Sequence, residues 1–109
     1  MSDIALLYTS FPDRAQAEHA AEAVVAERLA ACVHVLAPCT AVYRWRGAVE
    51  HADEVPVLFK TMPNLVARLR DRIAALHSYD LPVIEAWPVA VTDAAFAWVD
   101  AETGVSGPC

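Results

Sequence analysis

No stretch of this chain approaches the roughly 18 uninterrupted apolar residues that a membrane-crossing helix needs, so no membrane role is expected. Basic charge is equally scarce. Eight Lys and Arg stand against 14 Asp and Glu, a net charge of −6, and the electropositive footprint of a nucleic-acid binder is missing. Arg68, Arg70 and Arg72 do cluster, but Asp71 lies among them, which reads as a solvated helix face. Cys32, Cys39 and Cys109 are an odd set without C-x-x-C spacing, arguing against a disulfide framework or a structural zinc site. A reducing compartment is the expected home. The opening Met1-Ser2-Asp3 carries no positive segment ahead of an apolar one, so export is not expected and a cytoplasmic location is. There is no Gly-rich phosphate loop, no G-x-S-x-G, no H-E-x-x-H and no legible Cys–His dyad.

Apolar residues, by contrast, are abundant, at 57% of 109 residues. A chain this short forms one domain, expected over residues 1–104 with a flexible tail at 105–109, and has little interior in which to hide that surface. Part of it is therefore expected to face other subunits.

Along the chain, Ile4 to Thr9 reads as a buried strand. Pro12 suits the first turn of a helix, and Ala17, Ala20, Ala21, Val24, Val25 and Leu29 recur at helical spacing, predicting a helix from Pro12 to Ala30. Cys32 to Ala37 is a second strand, with Cys32 expected to be a small buried hydrophobe. The strand bends at Pro38-Cys39 and continues from Thr40 to Arg46. Gly47 and Ala48 mark a hairpin turn, and Val49 to Thr61 returns antiparallel. Pro56 cannot donate to a ladder and predicts a bulge or an edge. A second helix with the stripe Leu65, Leu69, Ile73 and Leu76 runs to His77. Val83 to Val91 is a last strand, with Pro88 placing its end at an edge. Asp93 is expected to cap a short helix from Ala94 to Glu102 that Gly104 ends.

The order is β-α-β-β-α-β plus a C-terminal helix: an α+β, ferredoxin-like antiparallel sheet with two helices on one face. In Tyr43-Arg44-Trp45-Arg46 the strand period sends the aromatics one way and the arginines the other. Tyr43 and Trp45 then fall on the face the helices leave open, and another copy of the chain is the simplest cover for it.

The sequence resembles the CutA family from Leu6 to Trp98. The matching pieces are Thr9 with Pro12-Asp13, Leu29-Ala30-Ala31-Cys32-Val33, Tyr43-Arg44-Trp45 with Gly47, Glu54-Val55, Lys60-Thr61, Leu76-His77 with Tyr79 and Pro82, Pro88-Val89, and Trp98. The resemblance implies a homotrimer of ferredoxin-like subunits whose long second and third strands pair between chains. It also implies a link to divalent-metal, especially copper, tolerance and to small-ligand sensing of the PII kind, and it establishes no catalytic activity. The family loop typically reads His-Pro-Tyr-Glu-x-Pro-Glu, whereas here it is His77-Ser78-Tyr79-Asp80-Leu81-Pro82-Val83. Glu85 follows two residues after Val83, on the same strand face and displaced by ~6–7 Å. Copper-binding members carry cysteine and histidine where Thr9 and Leu76 stand, which leaves His77 as the metal candidate and weakly bound copper as the most to expect.

Candidate ligand-binding residues are Tyr43, Trp45, Lys60, Tyr79 and Glu85. Lys60 and Glu85 each interrupt apolar strand sequence, where a charge needs a partner or a route to water. A Lys60–Glu85 pair between subunits, beside aromatics, would hold an anion or a small polar metabolite. The same residues equally suit anchors that lock a trimer. His77, at a helix C-terminus, also complements the helix dipole. The competing class is a trimeric enzyme using Lys60, His77 and Glu85 at a subunit junction.

Overall fold

The computed structural model describes residues 1–104; the expected tail, with Cys109, lies outside the described residues. Its elements are β1 (Ser2–Phe11), α1 (Arg14–Ala26), β2 (Cys32–Val35), β3 (Cys39–Trp45), β4 (Ala48–Thr61), α2 (Val66–Leu76), β5 (Glu85–Val91) and α3 (Asp93–Glu102), with a 3-10 turn at Pro63–Leu65 before α2. The sheet order is β2-β4-β1-β5, and β3 pairs with the outer half of β4. The ferredoxin-like α+β arrangement is therefore present, with the second strand split in two.

That split explains Pro56. It pairs with Ser10 in unbroken register with β1. On its other side β4 meets β2 only at 57–60 and β3 only at 48–54. The Pro56 carbonyl accepts from Leu36 N at 2.9 Å, so the position lacking an N–H lies at the gap between β2 and β3, as an edge rather than a bulge. Pro88 lies in β5, which among the described residues pairs only with β1 and is an edge strand.

Boundaries differ from expectation for local reasons. β1 runs further at both ends because Ser2 and Asp3 pair with Val91 and Ala90, and Ser10 and Phe11 with Pro56 and Val55. α1 is shorter than Pro12 to Ala30. Asp13 caps it, its Oδ1 accepting from Gln16 N at 2.8 Å, which leaves Pro12 outside. Its far end closes where Arg28 turns to φ +61°. Thr92, not Asp93, caps α3 through Oγ1 accepting from Ala95 N. The hairpin turn is Arg46-Gly47, both at positive φ (+50° and +83°), closing on the Trp45–Ala48 pair. Such a turn matches the twist of its strands.

The core lies between the sheet and α1 and α2: Leu7, Phe11, Ala17, Ala20, Val24, Val57, Phe59, Leu69 and Ile73 are all essentially inaccessible to water. Alternation sets the two faces. Leu7, Thr9 and Phe11 are buried toward the helices, while Leu6, Tyr8 and Ser10 are half-buried on the open face. Cys32 belongs to that open face, opposite Lys60; Val33 and Val35 are the β2 residues that pack on the core. Cys32 is thus half-buried rather than a core residue. The β3–β4 hairpin projects beyond the core, giving a body of 49 × 29 × 22 Å and a radius of gyration of 14.9 Å, against about 13 Å for a compact chain of this length.

Candidate functional site

Where the hairpin leaves the sheet, it faces the segment between α2 and β5. Between them is a cleft of about 660 Å³ whose walls include Tyr43, Trp45, Glu54 and Tyr79, with Thr9 and Ser10 at the β1 end. Tyr43 and Trp45 reach it because alternation puts them on one side of β3, and on β4 Glu54 shares that side, being paired with Cys39.

Glu54 is the keystone. Its Oε1 accepts from Ser10 Oγ at 2.9 Å and its Oε2 from Tyr79 Oη at 2.7 Å, so both carboxylate oxygens are held by charge-assisted bonds from different segments. Burial pushes the Tyr79 phenol well above the ordinary tyrosine range, and the hydrogen bond to Glu54 and its charge push further the same way, with smaller contributions from Tyr43 and Asp13. Burial likewise raises Tyr8, helped by Cys39, Glu85 and Glu54.

His77 stands behind the cleft rather than in its wall. Its Nδ1 accepts from Tyr79 N at 3.2 Å, so the proton is on Nε2, which lies 2.8 Å from the Ser10 carbonyl oxygen and donates to it. The ring stacks on Phe11, centroids 4.4 Å apart, and leans on Tyr79 at 4.7 Å. Both nitrogens are thus spoken for within the chain, and a metal would have to displace one of these partners. Among the described residues, no three His, Cys, Asp or Glu side chains gather in a way that would hold a metal ion. His77, Ser10, Glu54 and Tyr79 close a ring of hydrogen bonds that ties the 77–83 segment to β1 and β4. Thr9 Oγ1 adds a bond to the Val83 carbonyl at 2.7 Å.

Three of the five expected ligand residues, Tyr43, Trp45 and Tyr79, therefore meet in one cleft. Lys60 and Glu85 do not join them. Lys60 pairs with Leu6 and Glu85 with Tyr8 on the open sheet face, two strands and two residues apart, or roughly 12 Å. Among the described residues they form no salt bridge with one another. β5 begins only at Glu85, so the strand period that would align Val83 with Glu85 does not extend to Val83. The arginines also depart from simple alternation. Arg44 contributes to the cleft wall, and Arg46, freed by the turn, lies over the Trp45 ring at 5.4 Å. Strand alternation alone does not single out Glu54. The available signal was a carboxylate immediately before the apolar run Val55 to Phe59, where it must find donors.

A family model described as CutA1 divalent ion tolerance protein matches residues 5–102. The chain belongs to the CutA1 divalent ion tolerance family. The divalent-cation tolerance protein CutA of Thermus thermophilus is 36% identical over 105 residues, covering 95% of this chain and all of that one. Protein CutA of Homo sapiens is 35% identical over 79% of this chain, which spans about half (48%) of the human protein's length. Among solved structures, CutA from Xylella fastidiosa superposes with a TM-score of 0.89 at 36% identity, over 94% of this chain and 100% of the other. The ferredoxin-like fold expected from the residues is thus the fold of the CutA1 family. The hairpin and the His77–Tyr79 segment that build the cleft lie within the family match.

Proposed function

We propose that the protein is a homotrimeric small-ligand sensor of the CutA type that serves divalent-metal tolerance without catalysing a reaction. The observation that carries this reading is the cleft itself. It has aromatic walls and a carboxylate whose two oxygens are both already held by hydroxyls, which suits holding a ligand. The rival reading, an enzyme at a subunit junction, would need a second chain to bring Lys60, His77 and Glu85 together, since one chain keeps Lys60 and Glu85 on the open sheet face and His77 packed on Phe11. The trimer is supported by what one chain leaves uncovered: Val42, Val49, Leu81 and Val83 are all at least 60% exposed, and Tyr43, Trp45 and Trp87 each 41%. Apolar area of that kind marks an interface. Free Cys32 and the exposed free Cys39 support a reducing, cytoplasmic setting.

The test joins sedimentation to a thermal-shift screen of metabolites, nucleotides and divalent metals. A species of three times the 11.8 kDa formula mass, stabilised by a small molecule whose effect is lost with Tyr43→Ala, is the expected result. A stable monomer would refute the assembly. Turnover of any screened compound, abolished by Lys60→Ala or Glu85→Gln, would replace sensing with catalysis.

A further inference from the structure

The chemistry of the cleft names a class of ligand, on the reading that the cleft is a binding site. Its charges are mostly negative. Glu54 and Asp80 stand in its wall, Glu50 is the cross-strand partner of Tyr43, and Asp13 is close enough to act on the Tyr79 phenol. Its faces are aromatic. Tyr43 and Trp45 stand two residues apart on one side of β3, about 7 Å along the strand, and Tyr79 closes the opposite wall with its hydroxyl already given to Glu54. A tyrosine whose O–H is engaged in this way presents its ring rather than its donor.

A negative, aromatic-walled cleft calls for a cation. The described residues bring no three metal-ligating side chains together, so a bare divalent ion finds no cage there. A cation recognised by ring faces needs no lone pairs. It is attracted by the quadrupole of Trp and Tyr and by nearby carboxylates, the arrangement that receives quaternary ammonium groups. The chain already uses one face of Trp45 in this way, with the Arg46 guanidinium 5.4 Å from the ring centroid. We infer that the cleft binds a small organic ammonium ion, its alkylated head against Tyr43, Trp45 and Tyr79 and its charge balanced by Glu54 and Asp80. Arg44 is the one cationic side chain in the wall. Its strand position places it opposite Val49, on the other side of β3 from Tyr43 and Trp45, so it reaches the cleft from the edge and makes an anionic ligand the rival.

The experiment follows Trp fluorescence and calorimetric heat as three probes are titrated into the full chain at low salt: choline, its neutral dimethylbutanol isostere in which carbon replaces nitrogen, and adenosine triphosphate. Choline is expected to bind at least about tenfold more tightly than the isostere, since cation–ring attraction is the part the isostere lacks. Asp80→Asn, an exposed substitution, is expected to weaken choline severalfold while leaving the melting temperature unchanged. Trp45→Phe, which keeps a ring in place, is expected to weaken choline as well, with sedimentation run alongside because Trp45 also faces the proposed trimer seam. Equal binding of choline and isostere would overturn the inference in favour of a plain apolar cleft. Binding of the triphosphate without choline would overturn it while leaving a ligand-sensing cleft intact. Silence from all three would refute the ammonium assignment, and the broader screen above would then decide whether the cleft senses anything.

Discussion

Tyr79 donates its phenolic hydrogen to Glu54 across 2.7 Å, joining the segment after α2 to the base of the projecting hairpin. Because Ser10 holds the other carboxylate oxygen, this one bond closes the contact among three separate parts of the chain. Tyr79→Phe keeps the ring and removes the donor, and is expected to cost about 1 kcal/mol.

The same variant carries a pH signature. Burial, then the bond to Glu54, hold the Tyr79 phenol protonated in the folded chain. Its contribution is therefore complete below the unfolded tyrosine value of about 10 and is lost as pH rises through the higher folded value. Stability measured by denaturant titration should fall above pH ~10 in the parent. It should fall less steeply in Tyr79→Phe, with a residue of the slope left by Tyr8, which is shifted the same way.

His77→Ala removes two hydrogen bonds and a ring stacked on Phe11. A loss of about 2–4 kcal/mol in folding stability is expected, the range for breaking a buried network. Hydrogen exchange should show the 77–83 amides losing protection before those of β1 and β4. A variant as stable as the parent would mean that the ring does not anchor this segment.

Copper should bind weakly. Imidazole suits Cu²⁺, but both His77 nitrogens already have partners. Calorimetry is expected to give micromolar or poorer affinity. Nanomolar binding, one ion per chain and abolished by His77→Ala, would show that a neighbouring chain completes a site.

Trp45 and Phe59 should separate assembly from folding. Phe59 is fully buried in the chain's own core and Trp45 is 41% exposed. Phe59→Ala is expected to cost about 3–5 kcal/mol of folding stability. Trp45→Ala should leave the single-chain fold in place and weaken the trimer by a similar ~3–5 kcal/mol, read by sedimentation across a dilution series.

Arg28 joins two distant elements. At φ +61° its guanidinium donates to the carbonyls of Ala101 (2.7 Å) and Gly104 (3.2 Å) at the end of α3, where a cation also meets the negative pole of the helix. Arg28→Ala is expected to lose about 1–2 kcal/mol. Arg28→Gly should recover about 1 kcal/mol of that, because glycine accepts positive φ without strain. Equal losses would mean that the backbone there is unstrained.

Sequence alone determined the elements and the two faces of this protein. The helical stripe of Leu65, Leu69 and Ile73, the alternation of Tyr43 with Arg44 along the backbone, and the placing of Pro88 at an edge are local consequences of period and of a missing N–H. For Pro56 the missing N–H left a bulge or an edge, and the gap between β2 and β3 decided for the edge. The ordered motifs from Thr9 to Trp98 carried the family in the same way. Tertiary structure alone decided which side chains meet. Lys60 and Glu85 are both charges in apolar strands, and the β4-β1-β5 order puts a strand between them within one chain, so a pair between them is a matter for neighbouring subunits. Glu54 looked like one more polar residue of a hairpin. It became the centre of the site because β1 and the segment after α2 arrive from 44 positions upstream and 25 downstream to donate to it. For His77 the sequence offers either a weak metal ligand or a partner of the helix end, and the fold brings the Ser10 carbonyl to one nitrogen and the Tyr79 amide to the other. Periodicity is a property of neighbours along the chain, and hydrogen-bond partnership is a property of neighbours in space.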